Sequence, residues 1–137
     1  MNLFVDTSAF YAAADSGDDH HARARAALAG GDRLFTSDHV LAESWSLLEG
    51  RLGWDAAERF WGAIRGGVAV VEYVGPDDLD VAWSIGEVFR DQGLSLTDRT
   101  SFAVMLRLGI HRAASFDKDF AVFRFGSRRE RAFEIVR

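Results

Sequence analysis

Four carboxylates stand where a folded chain commonly places its chemistry. Asp6 ends the apolar run Leu3-Phe4-Val5, and Asp117 follows Ala113-Ala114-Ser115-Phe116. Asp98 opens an apolar helical stretch, and Glu43 lies about one turn into another. If they converge, each pair at about 4 Å repels by about 4 kcal/mol at an effective dielectric near 20. Such a cluster requires a cation, and hard oxygen ligands select Mg²⁺ or Mn²⁺. An ion held there polarises a phosphate or carbonyl oxygen and activates a water. The plainer reading is that each acid caps a helix, which Asp does routinely. Spacing alone leaves both readings open.

The elements that must position these acids follow from periodicity and punctuation. Leu3–Val5 suits a strand buried on both faces, with a helix after it over 9–14. Asp18 and Asp19 suit the first turn of a helix that Gly30-Gly31 stops near Ala29. His20 and His21 point about 100° apart on a helix, which suits surface or packing roles rather than a shared metal. Leu34–Ser37 reads as a second strand, and Asp38 caps a helix to about Leu52. After Gly53, Trp54, Ala57, Trp61 and Ile64 mark one face of a helix to about Arg65. Val68–Val74 is the clearest strand, and Pro76 starts the helix that runs on to about Asp91. A helix over 101–108 follows Thr97-Asp98, then a strand over 112–116 and a last one over 133–136. This order predicts an α/β sandwich with a mostly parallel central sheet, as one domain over 1–137.

Composition narrows the class. With 48% hydrophobic residues and one Pro, the chain suits a compact globular protein. No apolar window reaches the length of a membrane span, and no signal-peptide pattern opens the chain. The absence of Cys excludes disulfides and thiolate metal sites and leads us to expect a cytoplasmic protein. Charge is uneven: residues 1–98 carry 7 Arg against 17 acids, whereas residues 99–137 carry 8 Arg and 1 Lys against 4 acids. A basic C-terminal part suits an anionic partner, and Arg forks onto phosphate. Trp45, Trp54 and Trp61, on adjacent predicted helices, present more aromatic surface than a small domain readily hides, so a hydrophobic partner is a further expectation.

Read together, four segments resemble a known family. They are Val5-Asp6-Thr7-Ser8-Ala9, Glu43 in its helix, Ser95-Leu96-Thr97-Asp98-Arg99-Thr100-Ser101-Phe102-Ala103, and Ser115-Phe116-Asp117-Lys118-Asp119-Phe120. In order and spacing they resemble PIN-domain ribonucleases, in particular the VapC toxins of bacterial toxin–antitoxin pairs. The resemblance implies a PIN-like α/β/α sandwich and a catalytic, metal-binding quartet of Asp6, Glu43, Asp98 and Asp117. Asp119 matches a further acid of some members, and Thr7 the hydroxyl residue beside the first Asp. It implies Mg²⁺- or Mn²⁺-assisted hydrolysis of RNA, leaving 5′-phosphate and 3′-hydroxyl ends. It also implies a VapB-type antitoxin and a homodimer. Arg99, Arg107, Arg112, Lys118 and Arg124 are candidate clamps for the RNA backbone.

Two other classes remain in play. A phosphoaspartate-type phosphatase also begins with Asp after a strand, but it wants a second acid two residues later, where this chain has Ser8. A non-catalytic interaction module would use the Trp-rich face and leave its acids as caps.

Overall fold

The computed structural model covers residues 1–137. Five parallel strands form its centre: β1 (Asn2–Val5), β2 (Arg33–Ser37), β3 (Val70–Glu72), β4 (Arg112–Ala114) and β5 (Glu134–Val136). Their spatial order is β3-β2-β1-β4-β5. Helices α1 (Thr7–Ala14) and α2 (His21–Leu28) connect β1 to β2, and α3 (Asp38–Leu52) and α4 (Trp54–Arg65) connect β2 to β3. Then α5 (Pro76–Val88), a 3-10 turn (Arg90–Gln92) and α6 (Leu96–Leu108) cross the sheet to β4. A short α7 (Lys118–Val122) lies before β5.

Expected and observed elements differ mainly at their ends. The run over 68–74 forms a strand only at Val70–Glu72, because β3 has one partner, β2, to hydrogen-bond it. The helix expected from 101 begins at Leu96, because the Ser95 hydroxyl accepts from the Asp98 amide and caps it early. Ser37 rather than Asp38 caps α3, through the Val40 amide (3.1 Å). Asp38 instead accepts from the Val74 amide (2.9 Å), tying the end of β3 to the start of α3. No helix was expected between the last two strands; α7 is too brief to show a period, and Asp117 caps it. Gly53, at φ +97°, makes the sharp turn from α3 to α4 that a side chain would strain.

The core follows the sheet. Leu3, Phe4 and Val5 have no exposed surface, as a central parallel strand covered on both faces requires. Phe102 of α6 meets Phe120 edge-on (4.8 Å) and stacks on Phe123 (4.4 Å), locking α6 to α7. No helix is long and apolar enough to cross a membrane. Phe102→Ala should cost about 3–5 kcal/mol, the usual loss for a buried Phe. Urea unfolding monitored by circular dichroism checks this, and a loss below about 1 kcal/mol would contradict the packing described.

Candidate active site

The chain leaves β1 outward through β2 and β3, then returns to β4 on the other side of β1. The carboxyl ends of β1 and β4 therefore flank the point where strand order reverses, the crevice in which open α/β sheets bind ligands. Val5 pairs with Ala114, and the Asp6 amide donates to the Ala114 carbonyl (3.1 Å). Asp6 thus sits beside Ser115 by register. Its Oδ2 accepts from Ser8 Oγ (2.9 Å), Ser115 Oγ (3.1 Å) and, more weakly, the Ser8 amide (3.4 Å). Each serine also accepts from the loop after β4: Ser8 from the Phe116 amide (2.9 Å), Ser115 from the Asp117 amide (3.0 Å). With its lone pair so engaged, each hydroxyl aims its one proton at Asp6.

Asp98, on the first turn of α6, faces this loop from across the crevice. One carboxylate oxygen from each of Asp98, Asp117 and Asp119 lies within 4.8 Å of the others. Asp117 Oδ1 accepts from the Asp119 amide (2.9 Å), which holds these two acids in one turn. Burial pushes the Asp6 carboxyl up to about 6, with the Asp117 charge adding to it and hydrogen bonds from Ser8, the Thr7 amide and Ser115 opposing it. Asp98 is raised further, first by burial and then by the charges of Asp117, Asp6 and Asp119. None of the four makes an ion pair with an Arg, Lys or His.

Four close carboxylates without a cation are suited to hold one. Two oxygens on one Mg²⁺ at about 2.1 Å lie roughly 3–4 Å apart, so the observed spacing closes with small side-chain movements. Thr7 Oγ1, next to Asp6, is buried and has no hydrogen-bond partner, a further oxygen beside the cluster without a protein ligand. The donors are all hard oxygens, which fit Mg²⁺ or Mn²⁺ better than a thiophilic ion.

The other residues singled out from the sequence are dispersed. Glu43 is exposed on α3 and lies outside the group of three. It stands one turn after His39, whose Nδ1 meets Thr100 Oγ1 (3.1 Å) on α6. Of the candidate clamps, Lys118 alone is exposed directly beside Asp117. Arg112 is at the wrong end of the sheet: it starts β4 and pairs with Asp32 (3.1 Å) and Glu134 (3.3 Å). Arg99 turns to α5, where its guanidinium covers Gly86 and donates to the Ala82 carbonyl (3.4 Å). Arg107 is held by Asp78 (3.0 Å) and Glu72 (3.6 Å), and Arg124 by the Ala121 carbonyl (2.7 Å). Arg99, Arg107 and Arg112 are thus engaged within the fold, whereas Arg128, Arg129, Arg131 and Arg137 are exposed and make no ion pair. Sequence reasoning missed Ser8 and Ser115 as the groups that orient Asp6, although each lies within two residues of a flagged acid.

A parallel sheet with a carboxylate cluster at its switch point places the chain among α/β folds whose sites lie at the carboxyl ends of the strands. Residues 3–126 match the PIN domain, and the chain belongs to that family, among relatives of the VapC type. It is 38% identical over 124 residues to the 23S rRNA-specific endonuclease VapC20 of two Mycobacterium tuberculosis strains, covering 90% of this chain and 95% of that protein. The crystal structure of Mycobacterium tuberculosis VapC20, described as a sarcin–ricin loop cleaving toxin, superposes with a TM-score of 0.82. That match covers 87% of this chain and 92% of the other. VapBC2 from Rickettsia felis, solved bound to a DNA fragment from its promoter, shares the fold at a TM-score of 0.66, 12% identity and coverage of 88% and 92%.

The raised carboxyls predict how metal-free protein responds to pH. A carboxyl whose folded pKa exceeds its unfolded value stabilises the fold fully only below the ordinary carboxylate range, and that stability is lost as pH rises through the folded pKa. For Asp6 the window runs from about 4 to about 6, and for Asp98 it extends higher. The melting temperature in chelator should therefore fall from pH 5 to pH 8. Asp98→Asn should flatten that fall, as read by calorimetry. A wild-type melting temperature that rises over this interval would contradict the electrostatics described.

Proposed function

We propose that this chain is the toxin of a toxin–antitoxin pair and hydrolyses RNA phosphodiester bonds with Mg²⁺ or Mn²⁺. The carrying observation is the convergence of Asp98, Asp117 and Asp119 at the switch point, with Asp6 near enough to raise Asp98 and no Arg, Lys or His paired with any of them. Asp98, Asp117 and Asp119 would hold the ion, with Asp6 beside them and Glu43 completing or orienting the shell from the rim. A divalent ion held there would supply positive charge to a phosphate oxygen and would make a water more acidic. Ser8 and Ser115 fix the Asp6 carboxylate, so its position is set before substrate arrives. Lys118, exposed beside Asp117, is the nearest of the expected clamps to a phosphate in the crevice. The likeness to VapC20 supports a ribosomal RNA loop as substrate and a cytoplasmic site of action for a single PIN unit over 1–137.

Asp98→Asn tests the reading because Asn caps helices about as well as Asp and keeps its size. A capping residue tolerates the change, whereas a metal ligand loses cleavage by orders of magnitude. Cleavage of 23S rRNA should vanish in Asp98→Asn and in chelator, while the melting curve shows a folded protein. Full cleavage by folded Asp98→Asn would overturn the assignment.

A VapB-type antitoxin is the partner we propose for the face of α3 and α4. Trp54 is 61% and Trp61 44% exposed, and Trp61 and Trp45 line a cavity of about 290 Å³ with Leu41 and Ala42. Trp54 packs edge-on against Trp45 (5.5 Å), so the exposed ring is pre-positioned. Exposed Val81, Trp83 and Val88 on α5 leave a separate apolar surface for a homodimer. Trp54→Ala with Trp61→Ala should weaken antitoxin binding at least 30-fold by calorimetry, as loss of an aromatic hot spot does. Normal binding by the folded double variant would place the antitoxin elsewhere.

A further inference from the structure

One aromatic stack borders the acid crevice and is not used by the chemistry above. Phe116 lies between Ser115 and Asp117, and its amide donates to Ser8 Oγ, the group that holds Asp6. On its ring lies the imidazole of His20, from the turn before α2, nearly parallel (5°) with centroids 4.5 Å apart. Both residues are half-buried, so the stack is anchored yet partly open. The Asp18 carboxylate accepts from the His20 amide (2.8 Å) and fixes where the ring enters.

Arg23, one turn into α2, completes the arrangement. Its guanidinium is 5.7 Å from the Phe116 centroid and donates to His20 Nδ1 (2.6 Å). Arg has no lone pair to offer, so the guanidinium is the donor in this contact. Arg23 is exposed and makes no ion pair with any carboxylate. Unlike Arg107 and Arg112, it has no carboxylate paired to it. Simple packing of α2 on the β4 loop requires an apolar contact, but not an exposed guanidinium held against the imidazole.

We propose that His20, backed by Phe116, stacks the base of an unpaired nucleotide flanking the scissile phosphate, and that Arg23 binds an adjacent phosphate. This rests on the nuclease reading above and adds a subsite to it. An aromatic face accepts any base, and a free guanidinium beside it grips the backbone. The subsite therefore selects for unpaired RNA, since a base within a duplex is already stacked on its neighbours.

The test is kinetic. Wild type, His20→Ala, His20→Trp and Arg23→Gln are given a sarcin–ricin stem-loop RNA in Mn²⁺, intact or with single abasic nucleotides around the cut. For wild type, one abasic position next to the cut should raise KM about 10-fold, within the range of base–aromatic stacking. His20→Ala should raise KM about 10-fold on intact RNA, keep kcat within about 3-fold, and become indifferent to that abasic position. His20→Trp should restore stacking and the abasic sensitivity, which a merely structural His20 would not do. Arg23→Gln, an exposed change that leaves the fold intact, should lower the slope of log KM against log salt by about one contact. No cleavage by wild type would overturn the nuclease reading and this subsite with it. Cleavage by wild type, with His20→Ala matching its KM and abasic profile and Arg23→Gln its salt slope, would overturn the subsite alone.

Discussion

The parallel pairing of β1 with β4 is the constraint on which the centre depends. It sets Val5 opposite Ala114 and so brings Asp6 alongside Ser115. A one-residue slip would turn Leu3, Phe4 and Val5 to the opposite faces and remove Ser115 from Asp6. The buried apolar run and the acid that ends it are therefore one device. Burial of the strand specifies the register, and the register specifies where the charge emerges. The same burial lifts the Asp6 carboxyl, so the feature that orders the sheet also makes the site costly.

Basic residues complement that cost by their placement. Arg112 anchors the amino-terminal edge of β4 to Asp32 and Glu134, and Arg107 joins α6 to Asp78 and Glu72. Arg99 lies across Gly86, where any side chain would collide with its guanidinium, so a glycine on α5 makes room for an arginine on α6. Each sits close to an acid in the sequence or the fold and yet leaves the carboxylate cluster alone. A cation supplied by the chain would compete with one supplied by solution. No Arg pairs with Asp6, Asp98, Asp117 or Asp119, which leaves their negative field uncancelled.

Much of this was legible in the residues. Short apolar runs ended by acids marked β1 and β4, and the Gly and Pro stops placed α3, α4 and α5 within a few residues. Asp6, Asp98 and Asp117 stood out because each broke an apolar pattern at its end. What remained hidden depends on pairing across long separations. Ser8 and Ser115 are ordinary turn residues until the sheet brings positions 107 apart within hydrogen-bond range of one carboxylate. The destinations of Arg99 and Arg112 are tertiary facts that charge counting along the chain does not reach. On the sequence, His20 and His21 suit surface or packing roles rather than a shared metal. The structure separates them: His20 lies on Phe116, while His21 Nδ1 meets the Ala12 carbonyl (2.8 Å).

The acids of the centre are not equivalent, and the difference lies in their hydrogen bonds. Asp6 is surrounded by donors, so its orientation is set whether or not an ion is present. Asp98 accepts from no hydroxyl or amide and faces the negative charges of Asp117, Asp6 and Asp119, so in the metal-free protein it favours the protonated form. A cation bound among these acids would favour the ionised form of Asp98, so its uptake would be linked to release of a proton.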